Sequence, residues 1–185
     1  MGTVKPKRTW VEIDPNALRA NLYYAREVAG GADVMAVVKA DAYGHGFEET
    51  IKALDSQVSA FGVATLNEAL AVSSVTQKTT DIMILGALLP DEREDAVSAG
   101  LHVTISSLLE ARKYNETGQR IGSRVRSHLV LDTGMGRLGF TEKEFISECP
   151  QISSLSNIET EGIATHFPCS DVDLEFTKNQ IEKFE

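Results

Sequence analysis

The chain has 185 residues, of which 42% are hydrophobic and 24% are charged, and its formal net charge is -9. This balance is typical of a folded globular domain and argues against a disordered or fibrous protein. No block rich in lysine and arginine occurs, so we expect neither nucleic acid nor an anionic membrane as a partner.

Signals for export or membrane insertion are weak in this sequence. Residues 1–10 carry charges without the apolar centre of a signal peptide, and no apolar run approaches the length of a membrane-spanning helix. The two cysteines, Cys149 and Cys169, are too few for a disulfide framework and fit reduced thiols. We therefore expect a cytoplasmic protein.

The first predicted elements are a short strand and a helix. Residues 9–13 alternate between polar and apolar side chains, which is the pattern of a strand. Asp14 followed by Pro15 is typical of a helix start, and the Gly30-Gly31 pair is typical of a helix end.

A regular alternation of strands and helices follows this opening. We predict strands at residues 34–38, 61–64, 82–85, 101–105, 125–131 and 158–164. We predict helices at residues 48–54, 67–75, 91–99, 108–116, 142 to about 148, and from about 171 to the end. Such alternation indicates parallel βα units with right-handed crossovers. Six units fit an open doubly wound sheet, whereas a closed barrel needs eight, so the pattern leaves both folds open.

Lys39 directly follows the strand predicted at residues 34–38, within the run VVKADAYGHG at residues 37–46. Functional residues of parallel α/β folds gather after the strands. Desolvation at the end of an apolar strand would favour the neutral, nucleophilic amine, which suits a Schiff base with an aldehyde cofactor. The phenol of Tyr43 could bind a phosphate group. A lysine whose ammonium simply reaches solvent explains the same spacing, and the spacing alone does not decide between these interpretations.

Two further features follow the fifth and sixth strands. The run GMGRLG at residues 134–139 fits the G-x-G-x-x-G pattern, but dinucleotide-binding folds normally carry that pattern after their first strand. Arg137 within it has a guanidinium that matches the two oxygens of a carboxylate. His166 ends the sixth strand, and its spacing to Cys169 lacks the second pair of ligands that a metal site needs. We expect no metal.

These runs together resemble the alanine racemase family. The resemblance also includes WVEIDPNAL at residues 10–18, DTGMGRLG at residues 132–139 and GIATHF at residues 162–167, so it covers nearly the whole chain. It implies an α/β protein: a partial pyridoxal 5'-phosphate-binding (β/α)8 TIM barrel with about six βα units. Residues 1–185 would form the N-terminal barrel domain, incomplete, without the family's C-terminal β-domain.

The resemblance also assigns roles to individual residues. Lys39 is expected to bind pyridoxal 5'-phosphate (PLP) covalently and to act as the catalytic base on one face of the substrate. Arg137 is expected to contact both the cofactor and the substrate carboxylate. The other cofactor contacts expected from the resemblance are Tyr43, Val37, Leu85 and His166.

The opposite face of the substrate requires a second base. In the family this is a tyrosine that reaches the site from the partner subunit of a homodimer. None of the four tyrosines here matches that position; they are Tyr23, Tyr24, Tyr43 and Tyr114. Val130 also stands where many relatives carry a carbamylated lysine that orients the arginine, and Pro168 stiffens the chain after Phe167.

The function implied is interconversion of L-alanine and D-alanine, which supplies a peptidoglycan precursor, with weak or no activity for this chain alone. One alternative is a PLP-binding barrel that does not racemise, resembling the small single-domain proteins of PLP homeostasis. Another, from a different class, is a nucleotide-binding or purely structural α/β module built on the glycine run.

Overall fold

A computed structural model describes residues 8–77 and 80–185 of the chain. Most of the N-terminal segment considered above for export lies outside the described residues. Six strands are present in the described part: β1 (Met35–Val37), β2 (Ala60–Val63), β3 (Asp81–Ile84), β4 (His102–Ile105), β5 (Val125–Val130) and β6 (Ile158–Ala164). Within these residues, no helix has the length and apolar character needed to cross a bilayer.

Helices alternate with the strands, as the sequence predicts. Their bounds are α1 (Pro15–Val28), α2 (Lys39–Gly44), α3 (Phe47–Leu54), α4 (Leu66–Val75), α5 (Arg93–Ser98), α6 (Leu108–Ile121), α7 (Glu142–Ser153) and α8 (Leu174–Phe184). The start of α1 is confirmed, because the Asp14 side chain accepts a hydrogen bond from the backbone N–H of Asn16 and Pro15 occupies the first turn.

The six strands form one parallel sheet in the order β1-β2-β3-β4-β5-β6. A doubly wound sheet reverses its strand order at a switch point, whereas this order never reverses. A sequential parallel order is that of a (β/α) barrel, so the predicted partial barrel is confirmed. The same topology argues against a dinucleotide site at the glycine run, because that run follows the fifth strand.

One predicted strand and two predicted helix ends are wrong. Residues 9–13 form no strand, since no neighbouring strand pairs with them and Trp10 and Val11 are exposed. Helix α6 continues past residue 116 until Gly122, whose left-handed backbone ends it. Helix α7 continues through Pro150, although proline supplies no N–H for the bond to the preceding turn.

The main core lies between the sheet and the helices. In β4, Val103 and Ile105 are fully buried in this core, whereas Thr104 between them lines the opposite, concave side of the sheet. This alternation follows from the two-residue period of a strand. The concave side is therefore free to carry polar and reactive groups.

Candidate active site

A cleft opens on the concave side of the sheet, at the carboxyl ends of the strands. Its volume is about 590 Å³, within the usual size range of small-ligand sites. It is bounded by the chain after β1, β3, β5 and β6. All six site residues predicted from the sequence line this one cleft: Val37, Lys39, Tyr43, Leu85, Arg137 and His166.

Lys39 enters the cleft from an unusual turn of backbone. Val38 is fully buried at the end of β1, and helix α2 then begins at Lys39. The next four residues, 40–43, have φ between 51° and 55° and are left-handed although none is glycine. Such residues cost roughly 1–2 kcal/mol each, so the surrounding structure must hold this turn in place. The Nζ of Lys39 lies 5.9 Å from the centre of the Tyr43 ring, which brings amine and phenol together.

Hydrogen bonds at three points fix the left-handed turn. The N–H of Ala42 donates to the carbonyl of Val38 at 3.0 Å, and the N–H of Phe47 donates to the Asp41 carboxylate at 2.7 Å. The N–H of Ala40 donates to Oε1 of Glu68, from α4, at 2.9 Å. The Asp41 and Glu68 carboxylates therefore brace the turn from both sides.

His45 follows this turn, and its Nδ1 lies 2.9 Å from the carbonyl oxygen of Ala42. That contact ties the His45 ring to the backbone of the loop and favours a packing role over that of a catalytic base.

Arg137 is carried by a loop that is closed at its base. The N–H of Asp132 donates to the carbonyl of Phe140, and the N–H of Phe140 donates to the carbonyl of Val130, both at 2.8 Å. Inside the loop, the Asp132 carboxylate accepts bonds from the N–H groups of Gly134 at 2.9 Å and Gly136 at 2.8 Å. The backbone that presents Arg137 is thus shaped by one carboxylate.

The electrostatics of Asp132 agree with this role. Burial acts to raise the pKa of its carboxyl, but the N–H groups of residues 134–137 outweigh burial and hold the pKa below its ordinary value. Asp132 therefore stays ionised near neutral pH and keeps the loop organised.

His166 is held through its backbone by helix α8. Gln180 on that helix is fully buried, and its Nε2 donates to the carbonyl of His166 at 3.2 Å and to Oγ1 of Thr133 at 3.1 Å. Thr133 in turn is 2.8 Å from Thr165, hydroxyl to hydroxyl. One glutamine therefore couples the two loops that follow β5 and β6.

The walls of the cleft are apolar near Lys39. Val37 and Leu85 face each other across Gly62, where an added Cβ would lie 3.1–3.3 Å from both side chains. Val130 lines the same cleft at the end of β5. Across the described residues, neither Lys39 nor Arg137 forms an ion pair. The cleft thus combines a flat apolar slot with an amine and a guanidinium that carboxylates leave free.

Our sequence analysis missed the side chains that hold the site loops. Glu68 and Glu144 both lie three residues after a threonine, which is the signature of a helix capping box, but only the structure shows that Glu68 also reaches Ala40. Gln180 gives no signal at all, because a polar residue in the middle of a helix is usually exposed.

The donor set of this cleft suits a small ligand with a carbonyl carbon and an anionic group. The Lys39 amine can attack a carbonyl, and the Tyr43 phenol and the Arg137 guanidinium can donate hydrogen bonds to anionic oxygens. The apolar slot between Val37 and Leu85 suits a flat ring.

Comparison with known proteins agrees with this geometry. Residues 13–185 match the family model described as the N-terminal domain of alanine racemase. The alanine racemase of Methylacidiphilum infernorum (isolate V4) is 39% identical over 175 residues, which cover 94% of this chain and 45% of that protein. The alanine racemase of Desulforamulus reducens is 36% identical over 179 residues, which cover 95% of this chain and 48% of that protein.

Solved structures give the same result for the fold. The alanine racemase of Clostridium difficile 630 superimposes with a TM-score of 0.85 at 32% identity, covering 91% of this chain and 45% of that one. The chain therefore spans about half the length of the curated relatives it matches.

Proposed function

This chain belongs to the alanine racemase family, and from that premise we propose that it forms the cofactor-binding part of a PLP-dependent racemase. The proposed substrate is a small amino acid, with L-alanine and D-alanine as the interconverted pair. The observation that carries the proposal is the meeting of Lys39, Tyr43 and Arg137 in one cleft at the carboxyl ends of the strands.

The residues of the cleft fit PLP by their chemistry. Lys39 would hold its aldehyde carbon, and Tyr43 would donate a hydrogen bond to its phosphate. Val37 and Leu85 would pack against the ring, with His166 beside it and Arg137 near its phenolic oxygen. When bound, PLP supplies an electron sink that makes the proton on the α-carbon of an amino acid removable.

Two residues of this chain then act on the substrate. Once the amino group of the substrate had replaced the Lys39 amine on the aldehyde carbon, the freed Nζ of Lys39 would accept the α-proton on one face as a general base. Arg137 holds the substrate carboxylate with two parallel hydrogen bonds and so fixes which face Lys39 meets. Neither residue is paired with a carboxylate in the described part of the structure, so both are available for these contacts.

Return of the proton from the opposite face requires a second acid, which in the family is a tyrosine, and no tyrosine of this cleft matches that position. Of the four tyrosines, only Tyr43 lines the cleft, on the same side as Lys39, and Tyr114 is buried in the core. In the family this second base is a tyrosine from another domain of a partner subunit, which supports the same arrangement here. We therefore propose a homodimer for the complete protein, and weak or no racemisation by residues 1–185 alone.

Val130 favours a second candidate function, a PLP-binding barrel that does not racemise. Many relatives have a charged, carbamylated lysine at this place to orient the arginine, whereas Val130 presents an apolar side chain to the cleft. Without that support, Arg137 holds a substrate carboxylate less firmly. In this alternative Lys39 still binds PLP, but the protein does not racemise an amino acid.

The test begins with the purified protein and PLP. We expect an absorbance band at about 420 nm, from the protonated conjugate of a lysine with PLP. Borohydride reduction followed by peptide mass spectrometry should place the adduct on Lys39. The Lys39→Ala variant should lose the band, whereas Lys52→Ala should keep it, because Lys52 lies on the surface and pairs with Glu48.

The two candidate functions then separate by product. Incubation with L-alanine followed by chiral chromatography should yield D-alanine if the protein is a racemase. If the protein binds PLP but yields no D-alanine, even when the domain that carries the second base is added, the result would favour the non-racemising barrel. No absorbance band and no adduct on Lys39 would contradict both functions.

A further inference from the structure

Three helices in the described part of the chain begin with a glutamate side chain that caps the helix start. In α4, α6 and α7 the third helical residue is a glutamate that accepts a hydrogen bond from the backbone N–H of the turn before the helix. Glu144 accepts bonds from the N–H and the hydroxyl of Thr141, and Glu110 accepts one from the N–H of Ser106. These two glutamates accept hydrogen bonds only from residues three or four positions earlier in the chain.

Glu68 makes the same local bonds and one distant bond in addition. Its Oε2 accepts from the N–H groups of Ala64 at 2.8 Å and Thr65 at 3.2 Å. Its Oε1 accepts from the N–H of Ala40 at 2.9 Å, a residue 28 positions away. Glu68 therefore joins the start of α4 to the turn that carries Lys39.

The bond to Ala40 acts on the peptide group that links Lys39 to Ala40. Fixing that N–H fixes the plane of the peptide, and with it the direction in which the Lys39 side chain leaves the backbone. Ala40 is also the first of the four left-handed residues, where the chain departs from the ordinary backbone conformation. A restraint at this point is therefore placed where the turn would otherwise relax.

Glu68 also carries the charge that this role requires. Burial acts to raise the pKa of its carboxyl, but the hydrogen bonds from the backbone N–H groups of Ala40, Ala64 and Thr65 outweigh burial and hold the pKa below its ordinary value. The carboxylate is thus ionised near neutral pH, and hydrogen bonds to an ionised acceptor are the stronger kind.

We propose that Glu68 is a positioning residue for Lys39, which aims the lysine amine at the cleft through the Ala40 peptide. The proposal rests on the proposed function, in which Lys39 captures the cofactor. Both carboxylate oxygens of Glu68 accept hydrogen bonds from backbone N–H groups. Glutamine can replace only one of these acceptors, because its amide nitrogen is a donor.

The test compares Glu68→Ala with Glu144→Ala, which removes the matching capping box on α7. Both variants should lower the urea midpoint, because each loses a helix cap, and Glu68→Ala should lower it somewhat more, because it also loses the bond to Ala40. Capture of PLP at Lys39 should slow by about tenfold or more in Glu68→Ala and stay unchanged in Glu144→Ala, because small displacements of a reacting group have large effects on rate. Glu68→Gln should fall between wild type and Glu68→Ala.

A second measurement does not depend on the cofactor. Hydrogen exchange of the Ala40 amide, followed by NMR, should be faster by about tenfold in Glu68→Ala and unchanged in Glu144→Ala. If PLP capture slows equally in both alanine variants, Glu68 acts on Lys39 no more than an ordinary helix cap does, and the proposal is wrong. If the Ala40 amide loses protection while capture is unaffected, Glu68 holds the turn without aiming Lys39, and the proposal is again wrong. If the wild type captures no PLP, the proposed function fails, and exchange at Ala40 still decides whether Glu68 holds the Lys39 turn.

Discussion

The two ends of the strands differ in how far their charged groups are already paired. At the carboxyl ends, the cleft presents Lys39 and Arg137, neither of which is in an ion pair within the described residues. At the amino ends, Arg126 binds the Asp81 carboxylate at 2.7 Å and the Glu161 carboxylate at 2.6 Å. The basic side chains at the carboxyl ends are thus available to a ligand, whereas Arg126 at the amino ends is paired with carboxylates of the protein. We call the amino ends the paired end.

Two histidines complete the paired end of the molecule. His102 is buried between Asp81 and Glu161, with ring nitrogens 3.3 Å and 3.4 Å from the two carboxylates. The ring of His128 stacks on it at 5.6 Å between centroids. This arrangement agrees with the general division of barrel proteins, in which the amino-terminal face supports stability and the carboxyl-terminal face carries chemistry.

Gly139→Ala should have the largest effect on stability. It would show that the carboxyl-terminal face also contributes to stability. Gly139 lies at the cleft end with φ of 127°, where an added Cβ would lie 2.6 Å from the backbone nitrogen of Asp132 and 2.8 Å from the carbonyl oxygen of Val130. Both clashes are with backbone, so we expect a loss of about 2–4 kcal/mol in the free energy of unfolding. Urea denaturation measures it.

Gly136→Ala is the matched control in the same loop. Its φ is 71°, but an added Cβ would meet no atom within 4 Å, so only the left-handed backbone opposes the substitution. We expect a loss of about 1 kcal/mol. Equal losses for the two variants would show that the loop is not closed as tightly as its hydrogen bonds indicate.

Arg126→Leu should have a smaller effect, and it tests the paired end directly. The substitution leaves Asp81 and Glu161 without their common partner, but all three side chains are partly exposed to solvent, which screens their charges. We expect a loss of about 1–2 kcal/mol in unfolding free energy, with PLP capture at Lys39 unchanged.

Arg124→Leu provides the control for this variant. Its pair with Glu159 is longer, at 3.7 Å, and lies on the surface, so the loss should be at most about 0.5 kcal/mol. Impaired PLP capture in Arg126→Leu with unchanged stability would overturn the assignment of this cluster to stability.

Much of the fold could be predicted from the sequence because its signals are local. All six predicted strands correspond to strands of the sheet, including β5 and β6, which also contain polar residues. The strand predicted at residues 9–13 fails because strand formation needs a neighbour, which the local pattern of polar and apolar residues does not report. Lys39, Arg137 and His166 each follow a predicted strand, and the resemblance to the family assigned them to one site.

The supporting contacts of the site could not be predicted, because they join distant parts of the chain. Glu68 reaches Ala40 across 28 positions, and Gln180 reaches Thr133 across 47. In each case the local pattern describes only a helix residue, and the partner is set by how the βα units stack. The candidate reactive groups were therefore predicted from the sequence, whereas the groups that contact their loops were not.

Protonation of His128 should have the smallest effect on stability, and it tests the role of the histidines at the paired end. His128 has a pKa below 6.5, first because it is buried and then because it faces His102, with Arg126 acting in the same direction and Glu161 against it. The folded protein thus keeps His128 neutral while the unfolded chain takes up a proton near the ordinary pKa.

The direction of the pH effect follows from proton linkage. Below about pH 6.5 the unfolded state binds more protons than the folded state, so the contribution of His128 to stability is complete above that pH and is lost as the pH falls through the lowered pKa. Urea midpoints of the wild type should therefore fall between about pH 7 and pH 5, and His128→Gln should flatten this decline. Parallel slopes for wild type and His128→Gln would contradict the assignment of this decline to His128.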